Sequence, residues 1–156
     1  MTDPYAALTS FQQALSQGEI AVQPGALNPD VFVHADQPNG EMRLTYVQVD
    51  GGTVIAFATF VGCDPVEGRP CFQIGYAVPD TRRNQGLATS LVKAAIAEMQ
   101  HGFTRARLTP FFIEAIVGVD NLASQHVAAK TLSADRVEVT DRQSGQPAYQ
   151  YLRKIE

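Results

Sequence analysis

The chain has 156 residues, 45% of them hydrophobic and 18% charged, which allows a sizeable core and excludes a disordered or fibrous chain. Its formal net charge of −4 argues against a general surface for nucleic acid or anionic lipid, which needs an excess of positive charge. No apolar run is long enough to span a membrane, and Met1-Thr2-Asp3-Pro4-Tyr5 lacks the basic-then-apolar pattern of a leader, so a cytoplasmic protein is expected.

The first predicted element is a helix over residues 4–17. Asp3 can cap it, Pro4 suits its first turn, Tyr5, Leu8, Phe11 and Leu15 recur at helical spacing, and Gly18 ends it. Residues 19–40 are broken by Pro24, Gly25, Pro29, Pro38 and Gly40, with a short strand at Val31-Phe32-Val33. Met42, Leu44 and Tyr46 alternate on one face, and the pattern then slips to Val47 and Val49, which predicts a bulge. Asp50-Gly51-Gly52 reads as a hairpin turn. Residues 53–62 are apolar on both faces, as in a central strand covered from both sides. A loop is expected from Asp64-Pro65 to Arg69-Pro70, then a strand from Cys71 to Val78 that Pro79 stops.

Residues 86–101 form the most regular helix, with Leu87, Leu91, Val92, Ala95, Ile96 and Met99 in one apolar stripe and Gly102 as its expected stop. Phe111 to Val117 is the next strand. Asp120 or Asn121 caps a helix to about Leu132. Strands near 135–140 and 147–154 flank a turn at 141–146, and Tyr149 and Tyr151 are expected on opposite faces of the last one. The order gives an α/β (α+β) fold, a mixed sheet with helices packed on it.

Cys63 and Cys71 fit no metal or redox spacing; they are expected as reduced, partly buried thiols facing each other across a hairpin end. His34, His101 and His126 share no metal spacing either, so no metal site is assigned.

The chemistry concentrates between Ile74 and Leu91. An apolar strand, a proline stop and a turn containing Arg82 and Arg83 lead into the helix at Gly86. A helix N-terminus presents unpaired N–H groups and a partial positive charge, which suits a phosphate or pyrophosphate. Gly86 and Ala88 keep the approach open, so the N–H groups of Gln85, Gly86, Leu87, Ala88 and Thr89 can donate, and an arginine adds charge-assisted bonds. There is no Gly-Lys-Ser/Thr loop and no Gly-x-Gly-x-x-Gly, which disfavours nucleotide hydrolysis and dinucleotide redox chemistry.

Two segments together resemble a known family. Ile74-Gly75-Tyr76-Ala77-Val78-Pro79 with Arg83-x-x-Gly86-x-Ala88 resembles the acetyl-CoA signature of the GNAT N-acetyltransferases. Ile113-Glu114-Ala115-Ile116-Val117, then Asp120-Asn121-Leu122-Ala123-Ser124 and Val127, resembles the next strand and helix of the same superfamily, closest to the branch with the ribosomal-protein alanine acetyltransferases. The resemblance covers about residues 53–132 and implies a twisted, mostly antiparallel mixed sheet with helices on both faces, in one domain spanning 1–156. It implies acetyl-CoA as co-substrate in a gap between the strands ending at Val78 and Val117. The pantetheine arm would pair with Tyr76, Ala77 and Val78, the pyrophosphate would sit on Arg83 and on Gln85 to Thr89, and Asn121 would hold the arm. A backbone N–H near Ala77 or Val78 would stabilise the oxyanion. A primary amine, on a small molecule or a protein N-terminus, would attack the thioester directly, with no nucleic acid or membrane involved; a homodimer is the family-level expectation.

The chain also departs from that pattern. Relatives place a tyrosine where Ala128 stands, a glutamate near Gln73, and a Gly-aromatic ending where Leu132-Ser133 stands; the first forty residues match the usual two-helix cover poorly. Glu114 is then the carboxylate left to act as base, and Ser124 the group left to protonate the thiolate. The alternatives are a non-catalytic acyl-CoA-binding or sensing module, and a phosphate-binding fold with no acyl chemistry.

Overall fold

The computed structural model describes residues 3–156. Among them the chain forms α1 (Pro4–Ser16), β1 (Gln23–Pro24), β2 (Phe32–Asp36), β3 (Arg43–Asp50), β4 (Thr53–Val66), β5 (Arg69–Ala77), α2 (Leu87–Arg105), β6 (Phe111–Gly118), α3 (Leu122–Thr131), β7 (Val137–Thr140) and β8 (Pro147–Ile155). The strands make one sheet in the order β1-β2-β3-β4-β5-β6-β8-β7. Every pairing is antiparallel except β5 with β6.

The alternation along each strand divides the core in two. Tyr46, Ala56, Ala58, Phe60, Phe72, Ile74, Ile113, Ala115 and Tyr151 face α2 and α3, where they meet Leu91, Val92, Ala95, Met99 and Ala128. The other face carries Val47, Val54 and Phe57, covered by Leu8, Phe11 and Leu15 of α1. Helices therefore pack on both faces, as the resemblance implies. Tyr149 packs against the same cluster that contains Tyr151, so the two share a face; residues two apart in a strand point the same way. The predicted bulge lies at Gln48/Val49.

Two further expectations fail in the regular elements. The segment 64–70 is not a loop: β4 runs to Val66, β5 starts at Arg69, and the connection is a tight turn with Glu67 (φ 51°) and Gly68 (φ 72°) both left-handed. Cys63 and Cys71 become direct cross-strand partners and are both free thiols. Helix α2 passes through Gly102 to Arg105 because Phe103 packs against Phe72 and Phe111, at ring-centroid distances of 5.5 and 4.7 Å. That packing outweighs the roughly 1 kcal/mol helical cost of one glycine.

Within α2, Glu98 is only 8% exposed although it sits beside the apolar stripe. Its carboxylate accepts from the backbone N–H groups of Ala26, Leu27 and Asn28 at 2.8 to 3.2 Å. The loop before β2 is thus wrapped around a helix side chain some seventy positions later in the chain. No helix among the described residues is long and apolar enough to cross a membrane.

Candidate functional site

The turn into α2 is built from two left-handed residues, Asn84 (φ 61°) and Gly86 (φ 72°), and Gly86 caps the helix without any side-chain hydrogen bond. The first N–H groups of α2 therefore point outward with no capping acceptor. A Cβ added at Gly86 would meet nothing within 4 Å, so the cradle is open in front of the backbone. Its strain comes from φ, which disfavours any side chain there.

A cavity of about 930 Å³ opens over this turn. It brings together every residue expected at the cofactor site: Tyr76, Ala77 and Val78 from the end of β5, Arg83 and Gln85–Thr89 from the turn and α2, and Asn121 before α3. Ser124 lines it as well, while Glu114 does not.

The gap between β5 and β6 follows from their register. Only Cys71 with Phe112, Phe72 with Ile113, and Gln73 with Glu114 are paired, after which the strands diverge. Among the described residues, one edge of β5 has no strand partner beyond Gln73, so it has backbone groups available to pair with an extended arm. Helix α3 stands across this opening. Asn121 is its cap, with Oδ1 accepting from the Ser124 N–H at 3.1 Å. The Tyr76 hydroxyl donates to the Ser124 carbonyl at 2.5 Å and ties β5 to the first turn of α3. Burial raises the Tyr76 pKa well above the ordinary phenol value.

Glu114 lies at the crotch of the gap. Its neighbours Ile113 and Ala115 belong to the core under α2 and α3, so its carboxylate is on the opposite face, where Oε2 accepts from Gln150 Nε2 at 2.6 Å. The expected base and acid thus sit on opposite sides of the sheet, with Glu114 on the α1 side and Ser124 on the α3 side.

The charges are arranged differently from the sequence expectation. Arg82 pairs with Asp50 at 2.8 Å and Arg83 with Asp80 at 2.9 Å, so both arginines are held by carboxylates. Sequence reasoning also missed part of the wall. The N-terminus of α1 contributes Asp3, Pro4 and Tyr5, with no local signal for that placement, and α3 contributes Leu122, His126 and Lys130. Those three recur every four residues, which is the signal that could have found them.

The model of the Acetyltransferase (GNAT) family matches residues 12–133, well over half of the chain. The chain belongs to the GNAT acetyltransferase family. It is therefore an acyltransferase, and its mixed sheet with a gap between β5 and β6 is a GNAT fold. Solved GNAT structures resemble it at low identity. An acetyltransferase from Streptococcus pneumoniae shares 13% identity with a TM-score of 0.58, covering 99% of this chain and 96% of that one. A ribosomal-protein alpha-N-acetyltransferase, RimL, in complex with coenzyme A shares 16% identity with a TM-score of 0.52, covering 72% of this chain and 62% of that one. A spermidine N-acetyltransferase chimera from Vibrio cholerae and hSSAT shares 14% identity with a TM-score of 0.53, covering 74% of this chain and 67% of that one. No curated protein sequence matches the chain.

Proposed function

We propose that this GNAT chain transfers an acetyl group from acetyl-CoA to a primary amine by direct attack in a ternary complex. The observation that carries the reading is the single cavity running from the uncapped start of α2 to the open edge of β5. One end offers N–H donors and a helix dipole to a pyrophosphate; the other offers a strand edge to a pantetheine arm. The co-substrate supplies an activated thioester carbonyl. In this reading a backbone N–H at Ala77 or Val78 stabilises the oxyanion as the amine attacks. Glu114 removes the amine proton through water from the acceptor side, and Ser124 protonates the departing thiolate from the cofactor side. Asn121 fixes the first turn of α3 against the arm.

The acceptor class is an amine on a small molecule or on a protein N-terminus. Both kinds occur among the similar structures, whose names specify a ribosomal-protein alpha-N-acetyltransferase and a spermidine N-acetyltransferase.

The test is thermal unfolding with acetyl-CoA and with CoA, followed by thiol release over a panel of amines. A ligand at about a hundred times its Kd stabilises the native state by about 2.7 kcal/mol, a shift of several degrees for a domain of this size. Absence of any shift overturns the cofactor assignment. A shift without thiol release on any amine makes the chain an acyl-CoA sensor rather than an enzyme.

A further inference from the structure

Cys63 of β4 and Cys71 of β5 face each other across the two strands, and both are free thiols. Facing residues of an antiparallel pair have Cα atoms about 4.5–5.5 Å apart, inside the range of about 4.4–6.8 Å that a disulfide spans. The register therefore places the pair within bonding reach with the strands where they are. The Cys71 thiol first, then burial and the charge of Glu114, push the Cys63 thiol above its ordinary range, so both groups lie close to it. Access to the pair is one-sided. Cys63 is half-buried, whereas Cys71 is only 2% exposed. A small oxidant in solution meets Cys63 first, and Cys71 is reached through Cys63. Along β5, Cys71, Gln73 and Ala77 alternate with Phe72 and Ile74, so they share the α1 side of the sheet. Cys71 with Phe112 is the first of the paired positions of β5 and β6, and Gln73 with Glu114 is the last. The two thiols thus stand near Glu114, on the acceptor side of the sheet, and neither lines the cofactor cavity.

We infer that Cys63 and Cys71 are a modification site for low-molecular-weight disulfides, which convert the pair into a reversible β4–β5 disulfide beside Glu114. The Cys63 sulfur, as thiolate, attacks the small disulfide RSSR. Its S–S bond breaks, a mixed disulfide forms on Cys63, and the leaving RS⁻ takes up the proton that Cys63 gave up. Cys71 then attacks the Cys63 sulfur in the same way, the mixed bond breaks, and a second RSH leaves. Two protein thiols lose two electrons and RSSR is reduced to two RSH, so an excess of RSH reverses the change. The modification itself stands apart from the acetyl-CoA reading. Its effect rests on that reading: the new bond closes next to Glu114, so it alters turnover and leaves CoA binding as it was.

The test is incubation of the folded chain with glutathione disulfide and glutathione at fixed ratios, read by intact mass and peptide mapping. The wild type is expected to lose two hydrogens and carry a Cys63–Cys71 link. Cys71→Ala is expected to stop at a glutathione adduct on Cys63, and Cys63→Ala to stay reduced. The two cysteines are close in sequence, so the same incubation in urea sets the baseline for an unfolded pair. Folding should raise the equilibrium constant for the link by about tenfold or more. A constant no higher in the folded wild type than in urea overturns the inference without recourse to any variant. So does a lasting glutathione adduct on wild-type Cys63, or a link between chains. Acetylated amine is then counted by mass spectrometry, so that no thiol reagent touches the pair. The oxidised and reduced chains are expected to differ about threefold or more in kcat, with equal CoA affinity. Equal turnover, or a loss of CoA affinity on oxidation, overturns the effect on the acceptor side. Absence of turnover in both redox states sinks the transfer reading and leaves the disulfide standing.

Discussion

Gln73 and Glu114 are the last residues that β5 and β6 hold in register before the two strands part. Both side chains lie on the α1 side of the sheet, and Gln150 holds the Glu114 carboxylate there. A glutamine at position 73 has no basic site, so Glu114 is the carboxylate at this junction. Glu114→Gln should lower kcat about a hundredfold, the usual scale of a lost general base, with CoA affinity unchanged. Steady-state rates and a CoA titration check both halves; an unaltered kcat would reduce Glu114 to a sheet residue.

Ala88 lines the cavity in the first turn of α2, beside the open backbone at Gly86. Ala88→Trp should fill the cradle and abolish CoA binding, while helix α2 keeps its buried stripe and the chain stays folded. A CoA-dependent thermal shift equal to that of the wild type would refute the placement.

The carboxylate of Glu98 satisfies three backbone N–H groups of the loop 26–28. Glu98→Ala should cost about 3 kcal/mol, because buried donors lose an ionised acceptor. Glu98→Gln should cost less, since one acceptor oxygen remains. A Cβ at Gly25 would lie 2.7 Å from the Asn28 carbonyl and 2.8 Å from the Glu98 carboxyl group, so Gly25→Ala should also destabilise, by about 1–3 kcal/mol. Urea unfolding measures each. The double variant should lose less than the sum, because both changes strike one contact.

Alkaline stability gives an independent reading of Tyr76. Burial raises its pKa in the folded chain, whereas the unfolded phenol titrates near about pH 10. The folded state therefore binds more protons above about pH 10, and stability falls as pH rises from there. Tyr46, raised by its own burial and then by Glu98, acts in the same direction. Tyr76→Phe should lose about 1 kcal/mol near neutrality through the missing bond to the Ser124 carbonyl. Its decline above pH 10 should be shallower than the wild type's by up to about 1.4 kcal/mol per pH unit. Denaturation midpoints measured from pH 8 to 11 decide it; parallel slopes would contradict a buried, protonated Tyr76.

The start of α2 was legible because Arg83-x-x-Gly86-x-Ala88 is a local pattern, and the cap of α3 was legible to within Asp120 or Asn121, of which Asn121 is the one used. The end of α2 was not. Gly102 signals a stop, but Phe103 is fixed by Phe72 and Phe111, aromatic partners distant or later in the chain. The turn at Glu67-Gly68 was hidden because glutamate is not a usual left-handed residue. Within the site, the β5 edge and the α2 turn are written in consecutive residues. The neutralisation of Arg82 by Asp50, and the placement of Asp3 on the cavity wall, depend on pairs that no spacing rule connects.

The three register pairs between β5 and β6 have a mechanical meaning. They are the only strand-to-strand rungs among the described residues that join β1–β5 to β6–β8–β7, so the sheet is two plates welded along a short seam. A ligand arm lying against the open edge of β5 and braced by α3 lengthens that weld. Occupancy should then stiffen the molecule across its middle, and those backbone amides between Tyr76 and Val78 that face the open edge of β5 should be the first to gain protection from hydrogen exchange when CoA is added.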